Sequence, residues 1–311
     1  MENNIKYSVV VPVYNEEDNV QPLFQEIKEV MLKLNEPFEI IFVNDGSSDS
    51  THQKLKTLSP IKIIAFRRNF GQTSALDAGI KHSQGDFIIT LDGDGQNPPA
   101  EIPKLIEKIK QGYDVVSGWR YNRKDNLSKR IISRGADFLR KLFVKDKIHD
   151  SGCTLKIYKK KCFKDIQLMG ETHRFIPAML RWQGFKLGEI KVEHLPRKRG
   201  YTKYTWKRVL KGFIDMLSVW FYRKYTGRPL HLFGGLGIII GGGGFMMGLY
   251  LAIARYFFGY SLQNRIWPLV SIFMVLVGIQ LFISGLLADI SVKNHYQGKK
   301  NIYNIKEIIE N

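Results

Sequence analysis

The chain opens on a β-branched apolar run at residues 7–11, closed by Pro12, and then changes period. From 19 to 34 the apolar positions Val20, Leu23, Phe24, Ile27, Val30, Met31 and Leu34 recur at helical spacing. Residues 39–43 predict a second strand that runs into the turn-rich NDGSSDST, and residues 61–66 predict a third. A helix over 73–82, a strand over 86–91, a helix over 102–110 and the start of a strand at 114–117 continue the alternation. Strands alternating with helices predict an α/β fold, a mostly parallel sheet with helices on both faces. Ligands of such sheets bind beyond the carboxyl ends of the strands. The polar clusters stand at those ends: PVYNEE after the first strand, NDGSSD after the second, DGDGQ after the fourth.

Further along, two stretches carry no charge, 229–254 and 266–288. Each exceeds the roughly 20 residues that cross a bilayer core of about 30 Å. Arg223, Lys224 and Arg228 precede the pair, Lys293, Lys299 and Lys300 follow it, and the linker holds Arg255 and Arg265. The excess of cations at the outer ends predicts a hairpin in the cell (inner) membrane with the N-terminal region and C-terminal tail cytoplasmic. The first span is lined by Gly234, Gly237, Gly241, Gly244 and Gly248, a spacing that serves either packing of the two spans or self-association into a homo-oligomer.

Charge sharpens this division. Lys and Arg number 47 against 29 Asp and Glu, for a net charge of +18. Residues 1–118 are net −5, residues 119–228 net +20 and residues 229–311 net +3. The positive charge therefore belongs to a segment just before the spans, which suits anionic headgroups or a phosphorylated ligand. Nucleic acid is disfavoured, because the block leads into a membrane anchor and no nucleic-acid-binding motif accompanies it. Within it, 127–143 and 206–222 interleave cations with Leu, Ile, Phe and Trp, the pattern of helices in the headgroup plane or of helices packed on a core with a basic outer face. The expected organisation is a catalytic domain over 1–204, an amphipathic helix over 205–228, the hairpin over 229–290 and a tail over 291–311.

The candidate chemistry is phosphate and metal chemistry. No Gly-x-Gly-x-x-Gly opens the first helix and no Gly-x-x-x-x-Gly-Lys-Ser/Thr occurs, which disfavours a dinucleotide dehydrogenase or a P-loop NTPase. Asp92-Gly93-Asp94 follows the apolar FIITL, so two carboxylates can aim at one cation if the chain turns at Gly93. Carboxylate oxygens favour Mg²⁺ or Mn²⁺, which complete their shells with substrate phosphates; Gln96 could add an amide oxygen. Cys153 and Cys162 fit no disulfide framework and no Cys-x-x-Cys site, so both are expected as reduced thiols. His173, His194 and His231 have no ligand spacing.

VVPVYNEE, VNDGSSDST, RNFGQTSALDAGIKHSQGD, LDGDGQNPPAEIP, GWRY and RKRGYTKY occur in that order. Together with the paired spans they resemble the family-2 inverting glycosyltransferases of GT-A fold, in particular the polyprenyl-phosphate branch that includes dolichol-phosphate mannose synthases and bactoprenol glucosyltransferases. The resemblance implies a Rossmann-like GT-A domain followed by interfacial and membrane helices. It implies that Pro12, Tyr14 and Glu16 line a nucleotide-sugar pocket and that Asp45 contacts the base or ribose. Asp92, Asp94 and Gln96 would handle the metal and the donor diphosphate. Arg120 and Arg130 would meet the acceptor phosphate, and Arg197 and Lys203 would belong to a basic loop closing over the site. Thr202 stands where the family usually has Ser. Asp150, in HDSGCTLKIY, matches a carboxylate important for activity, either as base or as orienting group. Read without the resemblance, Asp45 with Asp49 is turn chemistry, Arg120 a surface cation and Asp150 a loop carboxylate.

Processive polysaccharide synthases share the early motifs but usually carry Gln-x-x-Arg-Trp; here Ala178 precedes Arg181-Trp182. The expectation is transfer of one sugar, from a UDP-sugar by preference, to polyprenyl phosphate with inversion. The product would pass to a flippase and a periplasmic or lumenal transferase. The rival readings are a glycosyltransferase acting on another lipid or a glycan hydroxyl, and a non-catalytic nucleotide-sugar-binding subunit.

Overall fold

The computed structural model describes residues 5–121, 148–164, 166, 168, 172–195, 221, 229–262 and 265–297. The chain separates into two compact units, Met1–Val219 and Trp220–Asn311.

The first unit is built on one seven-stranded sheet in the order β3-β2-β1-β4-β6-β5-β7. The strands are β1 (Tyr7–Val13), β2 (Phe38–Asn44), β3 (Lys62–Ala65), β4 (Phe87–Thr90), β5 (Val115–Arg120), β6 (Lys156–Lys159) and β7 (Leu187–Val192). Helices α1 (Val20–Lys33), α2 (Thr51–Lys56), α3 (Gln72–Lys81), α4 (Ile102–Lys110) and α5 (Ile176–Trp182) complete it. All pairings are parallel except those of β6, which runs antiparallel to both β4 and β5. This is the expected mostly parallel sheet with one reversed strand inside it.

Both faces of the sheet are dry, as a largely parallel sheet requires. Val9, Val11, Phe24, Ile27, Met31, Leu105 and Ile157 form one apolar layer. Val10, Ile41, Val43, Leu76, Ile88 and Leu180 form the other. The alternation of Val9 and Val11 with Val10 across β1 follows the two-residue period of a strand. Burial of both faces is also why β1 reads as a continuous apolar run.

Strand β1 continues through Pro12 to Val13, two residues past its expected end. Pairing with β4 stops at Val10, so the missing amide of Pro12 interrupts no bond on that side. Pro12 and Val13 stay paired with Val43 and Asn44 on β2.

In the second unit, α6 (Pro229–Phe258) and α7 (Trp267–Gln297) are long and apolar enough to cross a membrane. Helix α7 continues seven residues past 290, where the tail was expected to begin. The two helices meet backbone to backbone. A Cβ on Gly278 would lie 2.4 Å from the Gly241 Cα, and one on Gly237 would lie 2.6 Å from the Gly278 carbonyl oxygen. Ser271 Oγ donates to the Gly244 carbonyl at 2.8 Å and closes the seam further along. Of the alternatives left by the glycine spacing, these residues serve packing within the hairpin. Gly278→Val is expected to cost about 1–3 kcal/mol by overpacking. It should lower the unfolding midpoint of the detergent-solubilised chain, whereas Gly242→Val, at a position with open space around its Cα, should leave the midpoint unchanged.

Candidate active site

Three strand ends are tied into one wall. The Asp45 amide donates to the Val13 carbonyl at 2.9 Å, which fixes the exit of β2 against that of β1. Asn15, at φ +55°, donates its amide to Ser47 Oγ and accepts from the Ser48 amide, and the Glu16 amide donates to Thr51 Oγ1. PVYNEE and NDGSSDST are thus a single hydrogen-bonded rim. Pro12 is buried beneath it, Glu16 is half-buried and Tyr14 is 41% exposed.

Asp45 is buried, and its two oxygens accept from the amides of Phe70 and Gly71 at 2.7 and 2.9 Å. Gly46, at φ +68°, presses on this same segment: a Cβ there would lie 2.3 Å from the Arg68 carbonyl carbon. Asp45 therefore anchors the RNFGQ segment at the start of α3. The next residue, Gln72, donates Nε2 to Asp92 Oδ1 at 2.6 Å. The chain of contacts runs from the β2 exit through α3 to the acidic pair.

The turn after β4 is pressed against β1. A Cβ on Gly93 would lie 2.5 Å from Val13 Cγ1 and 3.1 Å from the Pro12 carbonyl oxygen, so only glycine fits between the two aspartates. Asp94 Oδ1 accepts from the Gln96 amide, and the Gln96 carbonyl accepts from the Leu195 amide. Burial, followed by the charge of Asp94, pushes the Asp92 carboxyl up to about 6, while Thr154, Arg120 and Lys156 act in the opposite direction. Two mutually repelling carboxylates, one of them poorly solvated, form a site whose charge is relieved by an added cation.

No group of three or more His, Cys, Asp or Glu side chains suited to a metal occurs among the described residues. A hard divalent ion needs fewer protein ligands, because one or two carboxylates suffice when substrate phosphates complete the shell. The Asp92–Asp94 pair fits that requirement.

Across the sheet, Arg120 ends β5 and holds Asp150 with two parallel bonds, Nε to Oδ2 at 2.6 Å and Nη2 to Oδ1 at 2.9 Å. The side chains are 12% and 14% exposed. The Arg120 and Gly152 amides also donate to this carboxylate. Burial works to lower the guanidinium pKa, yet the bonds and charge of Asp150 hold it above its ordinary value. Arg120 is therefore a fixed cation within electrostatic reach of Asp92 and not a mobile surface charge.

The structure brings together Pro12, Glu16, Asp45, Asp92, Asp94, Gln96, Arg120 and Asp150 along the carboxyl ends of β1, β2, β4 and β5, with Tyr14 at the outer rim. Arg130, Arg197 and Lys203, with the helices expected over 127–143 and 206–222, lie outside the described residues. Three site residues escaped the sequence reading: Gln72, Thr154 and Lys156. Gln72 stands within a motif that was recognised only as a string. Thr154 accepts from Asn97 Nδ2 and, like Lys156, precedes or opens a strand hidden in a charge-rich segment.

Residues 8–167 match the model of the family described as glycosyl transferase family 2. The chain is 36% identical over 303 residues to the dodecaprenyl-phosphate galacturonate synthase of Rhizobium johnstonii, covering 94% of this chain and 90% of that protein. It is 35% identical over 292 residues to the undecaprenyl-phosphate 4-deoxy-4-formamido-L-arabinose transferase of Pseudomonas aeruginosa, covering 91% and 84%. Among solved structures, glucosyl-3-phosphoglycerate synthase from Mycobacterium tuberculosis, in complex with Mn²⁺, uridine diphosphate and glucosyl-3-phosphoglycerate, aligns with a TM-score of 0.55 at 15% identity. That alignment covers 70% of this chain and 80% of that one, a likeness of fold.

Proposed function

The chain belongs to glycosyl transferase family 2, and from that premise we propose that it transfers one sugar from a nucleotide-sugar, preferably a UDP-sugar, to polyprenyl phosphate with inversion. The reading is carried by one juxtaposition: the Asp92-Gly93-Asp94 turn at the exit of β4 stands within electrostatic reach of the Arg120–Asp150 pair at the exit of β5. A donor diphosphate suits the first and an acceptor phosphate the second. The names of the two relatives, each a polyprenyl-phosphate sugar synthase or transferase, support that choice of acceptor.

A phosphate oxygen of the lipid attacks the anomeric carbon in line. The bond from that carbon to the diphosphate breaks, and its electron pair leaves with the nucleoside diphosphate. A phosphate monoester has its second pKa at about 6, so the nucleophile is largely dianionic near neutrality and needs no strong base. Asp150 already accepts bonds from Arg120 and from two backbone amides. Its part is to aim Arg120, whose planar fork suits a phosphate. Asp92 and Asp94, with Gln96 beside them, would hold Mg²⁺ or Mn²⁺, which when bound offsets the charge on the departing diphosphate. Gln72 fixes the Asp92 rotamer through Oδ1. Pro12, Tyr14, Glu16 and the segment anchored by Asp45 border the nucleotide, and Arg130, Arg197 and Lys203 add positive charge on the acceptor side.

The polyprenyl chain stays in the bilayer because each buried CH₂ contributes about 0.8 kcal/mol. The site consequently works at a membrane face, and the cations at the outer ends of the two apolar stretches favour the cytoplasmic face of the cell (inner) membrane, with residues 1–204 as the catalytic domain, 205–228 interfacial, 229–290 in the bilayer and 291–311 as the tail. A flippase and a transferase on the far side would consume the product.

A panel of radiolabelled nucleotide-sugars is to be offered with undecaprenyl and dolichyl phosphate, and the product extracted into organic solvent. One donor is expected to give a labelled lipid with inverted anomeric configuration. Label entering a hydroxyl lipid or a glycan but neither phosphate would overturn the assignment of the acceptor.

A further inference from the structure

Two consecutive residues of one turn grip two consecutive residues of β5. Asp150 takes Arg120 in the paired fork, and His149, just before it, lies on Trp119 with ring centroids 4.4 Å and planes 21° apart. Neighbours along a strand point to opposite faces, so the turn clasps the end of β5 from both sides. Residues 148–150 belong to no helix or strand, and their place is set by side-chain contacts. Ile148 is buried. His149 is held from β7, where Glu189 Oε1 accepts from the His149 amide at 2.9 Å and Oε2 meets Nδ1 at 2.8 Å. A carboxylate only accepts, so Nδ1 carries the hydrogen of that bond. Parallel register sets Glu189 beside Ser117 and Lys191 beside Trp119. Lys191 Nζ in turn lies 5.4 Å from the centre of the Trp119 ring, so the surface on which His149 rests is itself braced from β7.

We propose that Glu189 is a positioning residue for the acceptor phosphate: through His149 it holds the turn that carries Asp150, and through Asp150 it sets the direction of the Arg120 guanidinium. A pair whose histidine is 57% exposed adds little to global stability. Its effect is local, because the residue it fixes is the immediate neighbour of the one that aims Arg120. Small displacements of a phosphate-binding group are costly in rate even when the fold survives them. The inference rests on reading Arg120 as the group that meets the acceptor phosphate, and it does not depend on which sugar is transferred.

The test compares the full chain in detergent with its Glu189→Ala and Glu189→Gln variants, by KM for undecaprenyl phosphate, KM for the nucleotide-sugar and unfolding midpoint. Glu189→Ala is expected to raise KM for the lipid on the order of tenfold, with KM for the donor and the midpoint close to wild type. Glu189→Gln should recover most of the loss. Its oxygen can still accept from the His149 amide, and its nitrogen can donate to Nδ1 in the other tautomer. In an Asp150→Asn background Glu189→Ala should add little, since both changes act on the same guanidinium. A wild-type KM for the lipid in Glu189→Ala overturns the proposal. So do an equal rise in both KM values, a Glu189→Gln variant no better than Glu189→Ala, and full additivity with Asp150→Asn. Should Glu189→Ala fail to fold, His149→Phe decides, because it keeps a ring on Trp119 and loses Nδ1: a raised KM for the lipid alone supports the clasp, and a wild-type value overturns it. A wild-type chain that transfers sugar to no lipid phosphate overturns the proposed reaction and this role with it, whereas an active wild type with an unchanged Glu189→Ala overturns this role alone.

Discussion

Asp92→Asn and Asp94→Asn are each expected to lower turnover by on the order of 10³-fold at saturating Mg²⁺ or Mn²⁺, the scale on which loss of charge stabilisation at a leaving group acts. The stability of the folded chain should move in the opposite direction. Asp92 is held near the point of protonation by burial and by Asp94, so a neutral amide of the same shape relieves a cost that the unliganded fold carries. Asp92→Asn should also keep the Gln72 contact, since its side-chain oxygen can accept as before. A higher unfolding midpoint without metal, a smaller midpoint shift on adding Mn²⁺ and a nearly dead enzyme form one coherent result. Near-normal rates in both variants would remove the metal assignment and with it the division into donor and acceptor sides.

Arg120→Ala should be the most destabilising single change in the site. It takes the guanidinium away from a carboxylate that is 14% exposed, and breaking a buried pair from one side costs about 3–5 kcal/mol. Arg120→Ala/Asp150→Asn should recover much of that loss, because the charge that the guanidinium balanced is then removed with it. Activity should not recover with it. The efficiency with polyprenyl phosphate should stay on the order of 10²-fold or more below wild type in both variants, the scale of losing a charged donor at a reacting phosphate. Asp150→Asn alone separates the two roles open to that residue. As an orienting group it raises KM for the lipid and leaves the shape of the pH–rate profile intact, whereas a base would take the alkaline-rising limb with it. A wild-type rate for Asp150→Asn at every pH would exclude the pair from the reaction.

The amphipathic pattern placed α4 at residues 102–110, its observed bounds, and missed the ends of α1, β2, β3 and α3 by one residue each. These elements bury one face or both, and burial writes a period into the chain. Strand β6 was illegible because KIYK continues into KKCFK, where a run of lysines masks the buried Ile157 and Tyr158 and Lys156 is itself buried. Reading β1 as ended by Pro12 followed the general rule for proline, and only the early divergence of β4 shows why the strand continues. Site motifs were legible as strings wherever glycine and aspartate cluster, which is why Asp92 and Asp94 stood out. What each does was less legible. Asp45 spends both oxygens on backbone amides, and Arg120 and Asp150, thirty positions apart, are one unit. Such pairings follow from strand order, which the periodic pattern does not contain.

The reversed strand divides the catalytic end of the sheet into halves of different ancestry in the chain. Exits of β1, β2 and β4 build the wall of Pro12, Asp45 and Asp92, whereas Arg120 leaves β5 and Asp150 leads into β6. Those last two residues stand thirty positions apart in the chain and close on one ion pair. The contacts that tie the β1 and β2 exits together share no residue with those that hold Arg120 to Asp150, so a substitution that loosens one wall is expected to leave the other standing.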